Sequence, residues 1–150
     1  MHPIPEGFHT ITPTIIVEGA AEAIELYKKA FDAQEIHRLN CPKTGRVVHA
    51  GLKIGTSMVF IGDNIQEMGC VPSENLKFYL YVPNADKAFE KAKNAGLSEK
   101  MPVDDQFWGD RMGAVKDKFD ITWTLAHHVK QVSQEDMEKA LKDMVDKMAA

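Results

Sequence analysis

One stretch of this 150-residue chain occurs twice, and the repeat limits the fold more than any other feature. Residues 80–82 read as the end of a strand, and residues 84–95 as a helix carrying apolar Ala85, Ala88, Phe89, Ala92 and Ala95. Spacing of i, i+3, i+4 and i+7 lines one stripe of a 3.6-residue helix against a core. Moved back by 65 positions, the pattern returns, with residues 15–17 as the strand and Ala20, Ala23, Ile24, Tyr27 and Ala30 as the stripe. Without a gap, Val17 falls on Val82, Ala20 on Ala85, Ala23 on Ala88, Glu25 on Glu90, Lys28 on Lys93 and Ala30 on Ala95. Downstream, Arg46 falls on Arg111 and Lys53 on Lys118. Matching apolar positions throughout make a duplicated unit the simplest reading.

Around each helix the pattern is β-rich. The first unit predicts strands over residues 11–17, 34–39, 46–54 and 57–61, with the turn Pro42-Lys43-Thr44-Gly45 between the second and third. Pro13 suits an edge strand or a strand start. A polar linker over residues 62–75 precedes the second unit, which predicts strands over 77–82, 99–103, 111–116 and 121–126. Gly96 stops the second helix, Asp32 stands where the first must stop, and Asp120 supplies a tolerant turn residue. A tail over 133–149 predicts one more helix, with Ser133 and Asp136 spaced as a capping box and Met137, Ala140, Leu141, Met144, Val145 and Met148 on one face. That stripe either covers the protein's own body or a dimer mate, or it binds a partner.

Bulk properties exclude several roles. The length suits a single domain, made here of repeats at about 9–63 and 76–128. A chain 44% hydrophobic and 27% charged buries an ordinary core. A net charge of −4 with no Lys/Arg stripe argues against a nucleic-acid partner. No apolar run approaches the roughly 20 residues that span a bilayer, and the N-terminus lacks the basic start and apolar run of a signal peptide. Cys41 and Cys70 have no CxxC spacing and read as reduced thiols of a cytoplasmic protein.

A helix laid on one face of a four-stranded sheet leaves the other face bare. Two such sheets can curve around a concave space, so the expected architecture is α+β. It comprises two βαβββ modules forming a curved mixed sheet with a cup-like pocket, plus a C-terminal helix. Function then belongs to strand faces and mouth loops. The opening over residues 15–31 and the closing run Trp108-Gly109-Asp110-Arg111 … Asp117 … Thr122-Trp123 resemble the vicinal oxygen chelate superfamily. That group includes glyoxalase I, bleomycin-resistance proteins, fosfomycin-resistance enzymes and extradiol dioxygenases. Asp105-Gln106-Phe107-Trp108-Gly109-Asp110-Arg111 and Ile11-Thr12-Pro13 … Val17-Glu18-Gly19-Ala20 are similar to a bacterial branch labelled demethylubiquinone methyltransferase-like. No glycine-rich loop follows a strand to hold a methyl-donor nucleotide, so the label carries no methyl transfer.

The resemblance implies a homodimer and, in metal-dependent members, a divalent cation held by His and Glu on the first and last strands of each unit. The corresponding positions here lie near Thr12, Val59 or Phe60, Lys77 and Thr124, a set unsuited to such an ion. The expectation is therefore a metal-independent, cofactor-free small-molecule binder of the bleomycin-resistance type. The alternative is a metal-dependent lyase, isomerase or dioxygenase with an atypical ligand set that includes His49 or His9.

Candidate ligand-binding residues are Trp108, Arg111, His49, Phe107 and Trp123. Trp108 before Gly109 sets a flat ring on a sharply turning loop, and Arg111 offers a fork for a carboxylate or phosphate. Equally, Trp108 can plug the sheet end while Arg111 pairs with Asp110 or Asp117. His49 can point into the pocket from the third strand or serve as an ordinary strand residue. Trp123 belongs either to strand packing or to the pocket wall. His127 and His128 face opposite ways on a strand and cannot chelate as one unit. Asp104, Asp105 and Asp110 read as solvated loop charge.

Overall fold

The computed structural model describes residues 2–149. Its first module comprises β1 (Thr14–Val17), α1 (Ala20–Phe31), β2 (Gln34–Asn40), β3 (Val47–Ile54) and β4 (Ser57–Asp63). The second comprises β5 (Lys77–Tyr81), α2 (Ala85–Asn94), β6 (Ser98–Asp105), β7 (Asp110–Lys116) and β8 (Thr122–His128), after which α3 (Gln134–Ala149) ends the chain. Each module makes one four-stranded mixed sheet, ordered β1-β4-β3-β2 and β5-β8-β7-β6. In both, the first strand pairs parallel with the last and the other pairings are antiparallel. The two βαβββ modules and the C-terminal helix are those expected.

Boundaries differ where backbone chemistry outweighs residue pattern. β1 begins at Thr14, leaving Ile11 82% exposed, and Pro13, which has no N–H, contributes only its carbonyl to the Phe60 amide at 2.8 Å. β6 runs longer than its pattern suggests and reaches Asp105 through two register shifts. Asp32 and Asp120 take positive φ of 55° and 64°, the left-handed conformation that short polar side chains tolerate.

The helix starts show how the duplicated unit closes on itself. Asp63 at the end of β4 accepts from the amides of Gly19 (3.1 Å) and Ala20 (2.7 Å), capping α1 from a strand. In the second module His127 Nδ1 near the end of β8 accepts from the Ala85 amide at 2.8 Å. Asn84 adds the ordinary cap, its side chain accepting from the Lys87 amide.

Both helices lie between the two sheets. α1 buries Ala20, Ala23, Ile24, Tyr27 and Ala30, and α2 buries Ala85, Phe89 and Ala92. One hydrophobic core joins these stripes to Ile15, Leu52 and Ile61 of the first sheet and to Val115, Trp123 and Leu125 of the second. Trp123 sits at the junction, its ring 5.0 Å from Tyr27, 4.6 Å from Phe31 and 5.1 Å from Phe78. Asp117, 5% exposed, ties the modules together with hydrogen bonds from the Tyr27 hydroxyl (2.6 Å) and Trp123 Nε1 (3.0 Å). The same carboxylate also takes the amides of Phe119 and Ile121. Burial and the neighbouring carboxylate push the Tyr27 hydroxyl up, so it remains a donor.

With the helices inside, the helix-free face of each sheet turns outward. Within one chain these two faces, here called walls, look away from each other. Removing one buried donor from the Asp117 cluster, as in Tyr27→Phe, is expected to cost about 1–2 kcal/mol. Asp117→Ala, which strands four donors, is expected to cost more than about 3 kcal/mol. Urea unfolding at constant m-value measures both, and equal small losses would show that the modules are joined by apolar packing alone.

Candidate functional site

Strand alternation decides which residues reach the helix-free faces. Along β8, Trp123 and Leu125 point to the helices, so Thr122, Thr124, Ala126 and His128 take the opposite face. The ladder sets Tyr79 opposite Thr124, Tyr81 opposite Ala126 and Asp110 opposite His128 on that same face. Two tyrosines at i and i+2 therefore stand side by side, their ring centroids 5.3 Å apart.

Asp110 organises this wall. It is 3% exposed, and its carboxylate accepts from the hydroxyls of Tyr79 (2.7 Å) and Tyr81 (2.9 Å) and from His128 Nδ1 (2.9 Å). Trp108 Nε1 donates in turn to the Tyr79 hydroxyl at 3.1 Å, and Phe107 meets the Trp108 ring edge-on at 5.0 Å. Burial pushes the Asp110 carboxyl up, but the bonds from His128, Tyr79 and Tyr81 outweigh it and hold the group below its ordinary value. Burial, assisted by the Asp110 charge, pushes Tyr79 up to about 12. An ionised acceptor thus fixes two phenol donors and orients one imidazole with Nδ1 protonated. Thr124, 1% exposed on the same face, has a hydroxyl with no hydrogen-bond partner among the described residues.

The loop carrying Trp108 is fixed by its backbone. Gly109 has φ of 102°, and a Cβ there would overlap the Lys130 carbonyl. Its own carbonyl accepts from the amides of Val129 (2.8 Å) and Lys130 (3.1 Å). A cleft of about 720 Å³ opens between the modules along β5, bordered by Tyr79, Tyr81, Phe31 and Lys53.

The helix-free face of the first sheet carries a second cluster. His37 Nε2 and His49 Nδ1 are 2.8 Å apart, their rings nearly parallel, and Phe60 packs 4.5 Å from His49 and 5.7 Å from Phe8. The His37 ring fits because Gly51 stands opposite it, where a Cβ would come within 2.6 Å of the imidazole. Burial, then the neighbouring His37, pushes the His49 imidazole down.

The sequence candidates therefore separate. Trp108 and Phe107 join the Asp110 wall, and His49 lies on the other wall beside His37. Arg111 lies on the helix side of β7, held by Asp86 at 2.8 Å and 2.9 Å and by Asp105 at 3.1 Å. Trp123 is 2% exposed in the core. Asp110, read from sequence as solvated loop charge, is buried because Tyr79, Tyr81 and His128 gather around its carboxylate on the helix-free face. His127 and His128 face opposite ways, one capping α2 and one on the wall. Tyr79 and Tyr81 were missed, although two rings at i and i+2 of a strand are a readable signal.

Of the positions at which the family resemblance implies a cation, Val59 is buried in the core. Phe60 offers a ring in place of a donor, and Lys77 lies on the wall's strand with a positive charge. Among the described residues no group of three or more His, Cys, Asp or Glu side chains gathers as metal ligands.

A duplicated βαβββ unit whose helices lie between its two sheets defines a class of paired-module α+β proteins. Comparison with known sequences makes that specific. The model of the Glyoxalase/Bleomycin resistance protein/Dioxygenase superfamily matches residues 7–125, and the chain belongs to that family. An uncharacterised protein of Mycobacterium tuberculosis (strain ATCC 25618 / H37Rv) is 33% identical over 144 residues, covering 91% of this chain and 84% of that one. Among solved structures, TioX from Micromonospora sp. ML1 has a TM-score of 0.63 at 20% identity, over 79% of this chain and 99% of that one. A PhnB protein from Bacillus cereus has a TM-score of 0.61 at 17% identity, over 79% of this chain and 99% of that one. At these identities the structural likenesses establish the fold alone.

Folding stability below neutrality tests the Asp110 assignment. A carboxyl held below its unfolded value stabilises the fold fully above the ordinary carboxylate range, near pH 4, and loses that contribution as pH falls through the lower folded value. Urea midpoints followed from about pH 6 down to pH 2 are expected to fall more steeply for the natural chain than for Asp110→Asn. Parallel slopes would refute the buried, ionised carboxylate.

Proposed function

We propose that this protein binds a small molecule without a metal ion, in the manner of bleomycin-resistance proteins, in a cup walled by two copies of the chain. The observation that carries the reading is the aromatic wall fastened to Asp110. Holding a carboxylate at 3% exposure is costly unless it is hydrogen-bonded, and here every bond fixes a ring or imidazole of one exposed face. Tyr79 and Tyr81 remain 43% and 64% exposed, leaving aromatic surface for a flat ligand. Shaped apolar surface with a few fixed polar groups is what sequestration requires.

A second copy supplies what one chain lacks. The Asp110 wall and the His37–His49–Phe60 wall look away from each other within a chain, so apposing them takes two chains. β1 and β5 are sheet edges, each able to meet another chain. The proposal sets the protein in the cytoplasm: Cys41 and Cys70 are free, and no helix among the described residues is long and apolar enough to cross a membrane.

One observation favours a rival reading. His37 and His49, 2.8 Å apart on the first wall, are two imidazoles of an atypical metal set for a lyase, isomerase or dioxygenase. Metal analysis of untagged protein separates the readings, since stoichiometric zinc, nickel, manganese or iron that is lost in His49→Ala would support the rival.

A thermal-shift screen with flat aromatic compounds, some carrying amino groups, tests the binding site. Hits are expected to keep their shift after dialysis against EDTA. They are expected to lose roughly thirtyfold in affinity, about 2 kcal/mol, in Trp108→Ala. Arg111→Ala, on the opposite face of the sheet, is expected to leave affinity unchanged. Hits indifferent to Trp108→Ala, or abolished by EDTA, would overturn the proposal.

A further inference from the structure

The helix-free face of the second sheet has two ends, and the Asp110 cluster occupies one of them. At the other end the same alternation brings Lys77 of β5 and Lys116 of β7 to that face, on either side of Thr122 in one cross-strand row. Lys100 joins them from the edge strand β6. It falls in the register shift between Glu99 and Met101, and its ammonium crosses β7 to donate to the Thr122 hydroxyl at 3.1 Å. Thr122 itself is only 5% exposed. Three lysines thus gather around one buried residue.

Their charge is largely unmet. Acidic residues outnumber basic ones in this chain, 22 to 18, so composition alone does not put lysines together. Lys116 meets Asp120 at 3.3 Å, an ion pair whose carboxylate is 82% exposed and therefore weakly held. Glu99, the neighbour of Lys100, turns to the helix side and meets Lys93 of α2. Lys77 and Lys100 have no ion-pair partner among the described residues. Like charges side by side on one face weaken a sheet, and a lysine stem is long enough to carry its ammonium away into water. Lys100 instead reaches inward over the face, toward Lys77. An anion seated there removes the repulsion.

We propose that the ligand of this face is a flat aromatic acid, its ring on Tyr79 and Trp108 and its carboxylate or phosphate group between Lys77 and Lys100. The proposal rests on the reading of the Asp110 wall as a binding surface and adds the charge of what binds there. Lys77 and Tyr79 are two residues apart on β5 and share the face, a separation of about 7 Å that a fused-ring acid spans. Ammonium groups are point charges with three rotatable donors, so a pair of them accepts either acid group without the fixed geometry of a guanidinium. The Asp110 carboxylate does not oppose the acid. It lies opposite His128, six residues beyond Thr122 on β8, roughly 20 Å away and outside a Debye length of about 8 Å.

Titration calorimetry at low salt with naphthalene-2-carboxylate, 2-naphthyl phosphate and the neutral 2-naphthalenemethanol tests the charge separately from the ring. At least one acid is expected to bind about tenfold more tightly than the alcohol, and to lose most of that advantage in about 1 M NaCl. The two acids tell a carboxylate ligand from a phosphate one. Lys77→Gln combined with Lys100→Gln is expected to erase the advantage and keep the affinity for the alcohol, which also shows that the variant is folded. Lys43→Gln, in the turn between β2 and β3, is expected to change nothing. Trp108→Ala is expected to weaken acids and alcohol alike. Acids that bind no more tightly than the alcohol, or an advantage that survives the double lysine variant, would overturn the acid and leave the aromatic wall standing. Failure of all three probes to bind, or binding indifferent to Trp108→Ala, would overturn the wall and the acid with it.

Discussion

The structure depends on one buried carboxylate shared between the repeats. Asp117 of the second module binds the Tyr27 hydroxyl of the first and the Trp123 indole of its own, inside a cluster of aromatic rings. A carboxylate buried this deeply needs its donors, and those donors are side chains whose rings are already committed to the core. The contact therefore fixes how the modules sit together. It holds α1 and α2 between the sheets, and every consequence for function follows from that. Had the sheets met through their bare faces, the chain would have closed its own pocket. With the helices inside, it presents two open walls.

The walls differ in chemistry. One is built outward from an anionic acceptor that is satisfied by two phenols and an imidazole, which makes a rigid face with π-surface and little free charge. The other holds two imidazoles in mutual contact beside phenyl rings, a softer face whose hydrogen bonding depends on which nitrogens carry protons. This asymmetry within a symmetric repeat marks where the two modules have diverged: the first sheet carries histidines on β2 and β3, and the second carries tyrosines on β5.

Much of the fold was legible because it rests on local chemistry. The helical stripes of Ala20–Ala30 and Ala85–Ala92 follow from period, the stops at Asp32 and Gly96 from backbone freedom, and the βαβββ order from their spacing. The site was legible only in part. Trp108 and His49 stand out by residue type, and both lie on helix-free faces. Arg111 stands out equally and lies on the other face, because alternation along β7 sets it with Gly113 and Val115 toward the helices. Asp110 gave no sign of burial, since its donors come from residues 29, 31 and 18 positions away in sequence.

By itself the sequence determined that a unit is duplicated and that each copy lays one helix on four strands. Those are properties of periodicity and residue chemistry, which neighbours in the chain suffice to set. Only the tertiary structure decided which face of each strand is covered, that the helices fill the space between the sheets, and that Asp110 gathers Tyr79, Tyr81 and His128. Such contacts join residues distant in the chain, and a shift of one residue in register would send each of those side chains to the opposite face.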